Sequence, residues 1–316
     1  MSLVGCVFLT YSIWSCDICG GVSGNASIGL LASTQFHMIG MKSNFNSYRS
    51  YLERIVHSRE RLFQQELTGR WQLAPRIQLI GSIPYQIGMQ KRDLGTDIIS
   101  GLGDPRLVVN YILLHQKDDD MSTRNFLSLG GGIKTPLGKK APETSMIRNL
   151  YPGTGAWNIS GLLVFTKRIS HNISLQQEGI CTFKTSDKSG YKYGNTYSYS
   201  ASLVWNKKVG IGRIICGPGL MLEYFDASTN HGLPLEGYNN QGYLGEGQLN
   251  IHYLSYQWLW GMNVKQPIIQ NFNELAITEK KKDCLEILES GLQAANPENI
   301  VSNYVTSKEI KIDGKT

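Results

Sequence analysis

The 316-residue chain has no unbroken apolar stretch of about 18 residues, so no helix of it is expected to cross a bilayer. Its 31 basic and 25 acidic residues give a formal charge of +6, but they do not cluster. Apart from the run Lys280-Lys281-Lys282 there is no basic patch, which argues against nucleic acid as a partner. The six histidines (His37, His57, His115, His171, His231 and His252) have no nucleophile at a meaningful spacing. Only a hairpin meeting of His115 with Ser128 is conceivable, so no enzyme is expected. Gly101-Leu102-Gly103-Asp104 and Gly130-Gly131-Gly132 lack the Lys-Ser/Thr ending of a phosphate loop, and neither precedes a helix. No second CxxC exists and Cys19 is followed by Gly, which argues against a covalent haem; no cofactor is expected.

What is present is alternation. The chain holds 34 glycines and 16 tyrosines at a mean hydropathy of -0.21. Successive strand side chains point to opposite faces, so a lipid-facing sheet can keep a low mean hydropathy while one face is oily. In 76–89, Ile77, Leu79, Ile83, Tyr85, Ile87 and Met89 oppose Arg76, Gln78, Ser82 and Gln86. The same pattern sets Leu107, Val109, Tyr111 and Leu113 against Arg106 and Asn110, and Tyr243, Leu249, Ile251 and Tyr253 against Glu246, Gln248, Asn250 and His252. Aromatics such as Trp71, Tyr85, Trp157, Tyr197, Trp205 and Trp258 mark the ends of the apolar faces, where amphipathic rings meet the headgroups.

Strands are expected near 30–48, 58–71, 75–89, 104–116, 124–137, 154–168, 172–185, 195–206, 211–226, 242–254 and 256–267. Most exceed the five or six residues usual in soluble sheets. Short connections alternate with longer polar ones at 91–103, 138–152, 186–195 and 227–241. The fold expected is all-β: an antiparallel transmembrane β-barrel of about 12 strands. Eleven strands do not close such a barrel, so a twelfth should follow. The next segment, 274–288, instead reads as a charged helix, and 300–312 is the candidate closing strand although Lys308 interrupts its apolar face. The expected organisation is a signal peptide at 1–15 without the usual basic start, a Cys/Gly-rich segment at 16–29 that could plug the lumen, a barrel over 30–273, and a polar tail at 274–316 that could contain the closing strand.

Several motifs occur in an informative order. They are Cys16-Asp17-Ile18-Cys19-Gly20-Gly21 followed by Gln35-Phe36-His37, then Ile83-Pro84-Tyr85, Gly101-Leu102-Gly103-Asp104, the segment from Gly130 to Gly138, and Gln266-Pro267 before Gln270-Asn271-Phe272-Asn273. Over residues 16–273 the chain resembles the transporter-like outer-membrane barrels of Bacteroidota, grouped with the MetA-pathway phenol-degradation and FadL-like barrels. The resemblance implies an outer-membrane channel or transporter for small molecules, apolar ones among them, in a Gram-negative bacterium. The family's usual closing strand is absent or altered here.

Two residue sets are candidate sites. Cys16 and Cys19 could bind a soft metal, form a labile disulfide, or carry a lipid on Cys16; a plain structural role for the pair competes with all three. Cys181 and Cys216 fall on apolar faces and read as packed or lipid-facing. The expected lumen lining is Glu66, Arg70, Arg76, Gln78, Arg106, Asn110, Lys134, Asn158, Gln176, Glu178, Glu246, Gln248, Asn250 and Lys265. The partners expected are outer-membrane lipid and a small solute that diffuses passively past this row. The competing expectation is a structural or adhesion barrel whose outer loops bind partners.

Overall fold

The structure is a computed structural model and describes residues 37–52, 55–92, 95–117, 123–142, 148–234, 241–255, 258–272, 279–283 and 288–294. The expected signal peptide at 1–15, the segment 16–29 with Cys16 and Cys19, and the candidate closing strand at 300–312 lie outside the described residues. Long antiparallel strands dominate. They are β1 (His37–Leu52), β2 (Ile55–Ala74), β3 (Ile77–Arg92), β4 (Gly95–Leu102), β5 (Arg106–Lys117), β6 (Thr123–Lys134), β7 (Asn158–Ser170), β8 (Ile173–Lys184), β10 (Thr196–Val209), β11 (Gly212–Phe225), β14 (Gly242–Ser255) and β15 (Trp258–Phe272), with β16 (Glu279–Asp283) and β17 (Leu288–Ala294) last. Three two-residue strands, β9 (Tyr191–Lys192), β12 (Thr229–Asn230) and β13 (Leu233–Pro234), form a separate small sheet in the loops.

The main sheet closes on itself. β1 pairs with β2 on one side and with β16 and β17 on the other, while β17 also pairs with β15. β4 and β5 follow one another along β3, and β16 and β17 follow one another along β1. Taken so, the 14-stranded sheet is a ring of twelve staves. Residues 279–283, expected in a helix, are therefore strand. The free edges of β1 and β15 explain the difference. A row of unpaired N–H and C=O groups in hydrocarbon costs several kcal/mol per group, far more than the few tenths by which Glu and Lys prefer a helix.

Within the expected loop at 91–103, residues 91–92 and 95–102 are strand. β3 and β4 run as one hairpin from Tyr85↔Leu102 to Arg92↔Gly95. At the other end, tight turns at Pro75-Arg76, His171-Asn172 and Gly210-Ile211 join neighbouring staves. Gly210 has φ +58, a left-handed conformation that favours glycine in such a turn. The start of β1 lies beside the end of β17, His37 opposite Ala294, at this short-turn end. Longer connections at 135–157, 185–195 and 226–241 gather at the opposite end, the arrangement of periplasmic turns and outer loops in membrane barrels.

The outward face is apolar and uncovered. Leu67, Ile83, Leu129, Ile159, Leu163, Leu203, Leu220 and Leu249 are all exposed on it. Tyr197 packs edge-on to Phe183 and beside Tyr224 near the loop end, while Trp258 stacks on Trp260 near the turn end. On β10 the apolar face runs from Trp205 to Tyr197, about 27 Å of strand and about 20 Å of height after tilting, close to a barrel's usual band. Cys181 is exposed and Cys216 half-buried, both free.

Candidate transport lumen

The inward residues of the ring are mostly polar. Glu66, Arg70, Gln78, Asn110, Asn158, Gln176, Glu178, Glu246, Gln248, Asn250 and Lys265 are all buried, and Gln78, Asn110 and Asn250 are 0% exposed. Arg106 and Lys134 are half-buried on the same face. Arg76 departs from the expected row: it sits exposed in the turn after Pro75, because β2 ends at Ala74 and β3 starts only at Ile77.

Charges of opposite sign knit this face together. Arg106 donates to Glu66 at 2.7 Å and to Ser82 at 3.3 Å. Arg70 donates to Gln78 at 2.9 Å, and Gln90 to Glu60 at 2.7 Å. Gln248 donates to Ser202 at 3.0 Å over Gly219, whose missing Cβ leaves room for both side chains. Asn110 lies over Gly130 in the same way, and His252 over Gly261. Among the described residues the Asn110 and Asn250 amides have no hydrogen-bond partner, so each presents a donor and an acceptor inside the barrel.

One part of the wall is apolar, which the expected polar lining did not include. Val108, Ile112, Phe126, Leu162, Val164 and Ile180 form a buried inward cluster on β5 to β8, with Ile80 against it. β14, which carries Glu246, Gln248, Asn250 and His252, stands six staves round the ring from β5. The interior thus sets an apolar patch, with Asn110, Gln176 and Glu178 buried on the same strands, across from the polar row of β14. His115 touches Phe126 edge-on, and Ser128 stands opposite Ile112 in the ladder, so the two do not pair.

The described parts of the connection between β6 and β7, 135–142 and 148–157, fold inward over this interior. Its anchor is Asp104, between β4 and β5, a residue absent from the expected set. Asp104 is 3% exposed. Its carboxylate accepts from the Gly138 amide at 2.9 Å, from the Thr154 amide at 2.8 Å and from the Thr154 hydroxyl at 2.7 Å. Lys134 lies 3.3 Å away. A single 3-10 turn, Arg148–Leu150, brings buried Leu150 against β3. A Cβ on Gly88 would meet the Leu150 carbonyl at 2.8 Å, so only glycine admits the loop this close. Arg148 reaches Asp187 at 3.3 Å and lies over the Tyr191 ring, which ties this loop to the next one.

Among solved structures the chain is similar to an outer membrane channel from Pseudomonas putida F1, with 14% identity, a TM-score of 0.58, and coverage of 82% of this chain and 96% of that one. The KdgM porin is far more distant, at 9% identity and a TM-score of 0.39 over 80% of this chain and 99% of the porin. A short stretch of 48 residues is 38% identical to a glycerate 2-kinase of Picrophilus torridus. That stretch is 15% of this chain, and it spans only 12% of the kinase. With its apolar belt outward, the closed barrel sits in the outer membrane of a Gram-negative bacterium. The family model for the putative MetA-pathway of phenol degradation matches residues 47–245, more than half of the chain, so the chain belongs to that family.

Proposed function

We propose that the chain is a passive channel, and not an enzyme, for small solutes that combine an apolar body with a polar group. The observation that carries this reading is the two-sided interior: the Val108–Ile112–Phe126 wall across from Glu246, Gln248 and Asn250. Such a solute would slide its apolar side along β5 to β8 while its hydroxyl or carboxylate exchanges partners along the polar row. The unpartnered amide of Asn250 on that row suits the exchange, because a buried amide gains about 1 kcal/mol from each bond it makes. Lining charges of both signs give no strong preference for one ion sign. The rows of motifs shared with the Bacteroidota barrels fit the same reading. Residues 16–29 precede β1, whose first residue lies at the short-turn end, and we assign them the role of a plug, with Cys16 and Cys19 as its metal or disulfide clasp.

Liposome swelling and single-channel recording of the refolded protein test the channel. Flux that is larger for phenol-sized amphiphiles than for sugars of equal mass is expected. No flux for any small solute would sink it. A second reading, a structural or adhesion barrel with partner-binding loops, is favoured by the complete burial of Gln78, Asn110 and Asn250, which solvent does not reach. The same absence of flux, together with loop-dependent binding to cells or matrix, would support it.

A further inference from the structure

We propose that the outward rim over β16, β1, β2 and β3 is a binding site for a phosphorylated lipid of the outer leaflet. The register makes the case. Arg49 stands opposite Lys281 on one side and Arg59 on the other, and Arg59 stands opposite Lys91. Directly opposed residues share a face, so Arg59 and Lys91 set two exposed cations side by side on adjacent strands, with Arg49 and Lys281 at the neighbouring register positions. Like charges placed this way repel, and an anion beside them relieves the repulsion. Arg61, opposite Ser47 and Met89, adds a third exposed cation one step below. Arg59, Arg61 and Lys91 are exposed, and no described carboxylate pairs with any of them. Of the nearby acids, Glu60 is buried on the other face, where Gln90 donates to it, Asp97 is taken by Arg92, and Glu279 and Asp283 stand at the register positions opposite Tyr51 and Ser47 on β1.

Beneath the cations lies an apolar tier. Phe45, Phe63 and Ile87 are opposed in a row, and Met89 and Ile98 in the next. All five are exposed. From Phe63 to Arg61 and Arg59 is about 7 and 13 Å along the strand, which after tilting spans the depth of a headgroup layer. The guanidinium fork matches phosphate oxygens in pairs, and the tier below matches acyl chains. An anionic sugar or free phosphate would use only the upper tier. The rim over β10, β11 and β14 is different: it presents Tyr197, Tyr224 and Tyr243, with Gln241 donating to Tyr224 at 2.6 Å.

The test uses the refolded chain in phosphatidylcholine nanodiscs, titrated with bis-phosphorylated lipid A. The triple variant R59Q/R61Q/K91Q is expected to bind at least tenfold more weakly than the native chain, and dephosphorylated lipid A to bind the native chain with a similar loss. K207Q/K208Q, at the short-turn end, should bind as the native chain does. Millimolar inorganic phosphate should not displace the lipid. Equal binding by the triple variant, an equal loss in the K207Q/K208Q control, or full displacement by inorganic phosphate would each overturn the proposal. If the triple variant fails the heat-shift test of folding, K91Q alone, expected to lose two- to fivefold, carries the test, and native-like binding by it refutes the site.

Discussion

Asp104→Ala should release the inward loop. The carboxylate, itself buried, accepts three hydrogen bonds from half-buried Gly138 and Thr154 and stands 3.3 Å from Lys134. Bonds to a charged acceptor contribute about 1.5 kcal/mol or more each, and the backbone donors left behind find water once the loop lifts. A loss of about 3 kcal/mol in loop docking is the expected net, which shifts the docked-to-free ratio by roughly a hundredfold. Thr154→Val removes only the hydroxyl bond, so about 1 kcal/mol and roughly a fivefold shift are expected. Planar-bilayer recording reads both. Open-state occupancy or conductance should rise in the order native, Thr154→Val, Asp104→Ala, and protease should cut within 138–154 in the same order. The barrel itself should keep its heat-dependent gel shift, because Asp104 lies between β4 and β5 and bonds only the loop and Lys134. Unchanged conductance with unchanged protease protection in Asp104→Ala would refute the clamp.

Three further outcomes are expected. Glu66→Gln should leave the Arg106 charge uncompensated inside the barrel and cost about 3 to 5 kcal/mol in urea unfolding, and Glu66→Gln/Arg106→Gln should recover most of that; a double variant as weak as the single one would contradict the pairing. Leu163→Arg, in the middle of the outward face of β7, should cost about 2 to 4 kcal/mol of folding into bilayers, and no loss would put that face out of lipid. In a background with the native cysteines replaced by serine, Gly40→Cys/Gly291→Cys should oxidise to a disulfide across the seam, since these residues are directly opposed in β1 and β17. Cross-linking of Gly40→Cys to a cysteine in 300–312 instead would move the seam there.

The staves from β2 to β15 were legible because period 2 has contrast wherever one face meets lipid and the other meets charge. Gln78, Asn110 and Gln248 could be placed inward from their neighbours alone. Arg76 shows the limit of that reading: it continues the alternation of Gln78 and Ser82, yet Pro75 ends β2 and takes Arg76 into the turn. Residues 279–283 show another. Their charges read as helix when only local preference is weighed, whereas the hydrogen-bonding demand that makes them strand comes from β1, more than 200 residues earlier in the chain.

The site was less legible than the fold, for two physical reasons. Alternation loses contrast where both faces are apolar. Val108 shares the inward parity of Arg106 and Asn110, yet an apolar residue between Leu107 and Val109 does not stand out as lining, and so the patch of Val108, Ile112 and Phe126 stayed hidden behind the expectation of a polar bore. Asp104 was hidden by distance. Between Gly103 and Pro105 it reads as an ordinary turn residue, and its partners at Gly138 and Thr154 lie 34 and 50 residues away. Both features bear on passage. In the proposed channel the apolar patch would set what a solute must present, and the Asp104 clamp would hold the loop over its route. The inward polar row alone is common to any filled barrel. The chemistry that would make this one selective therefore sits in the residues whose pattern had no contrast or whose partners are far away in the chain.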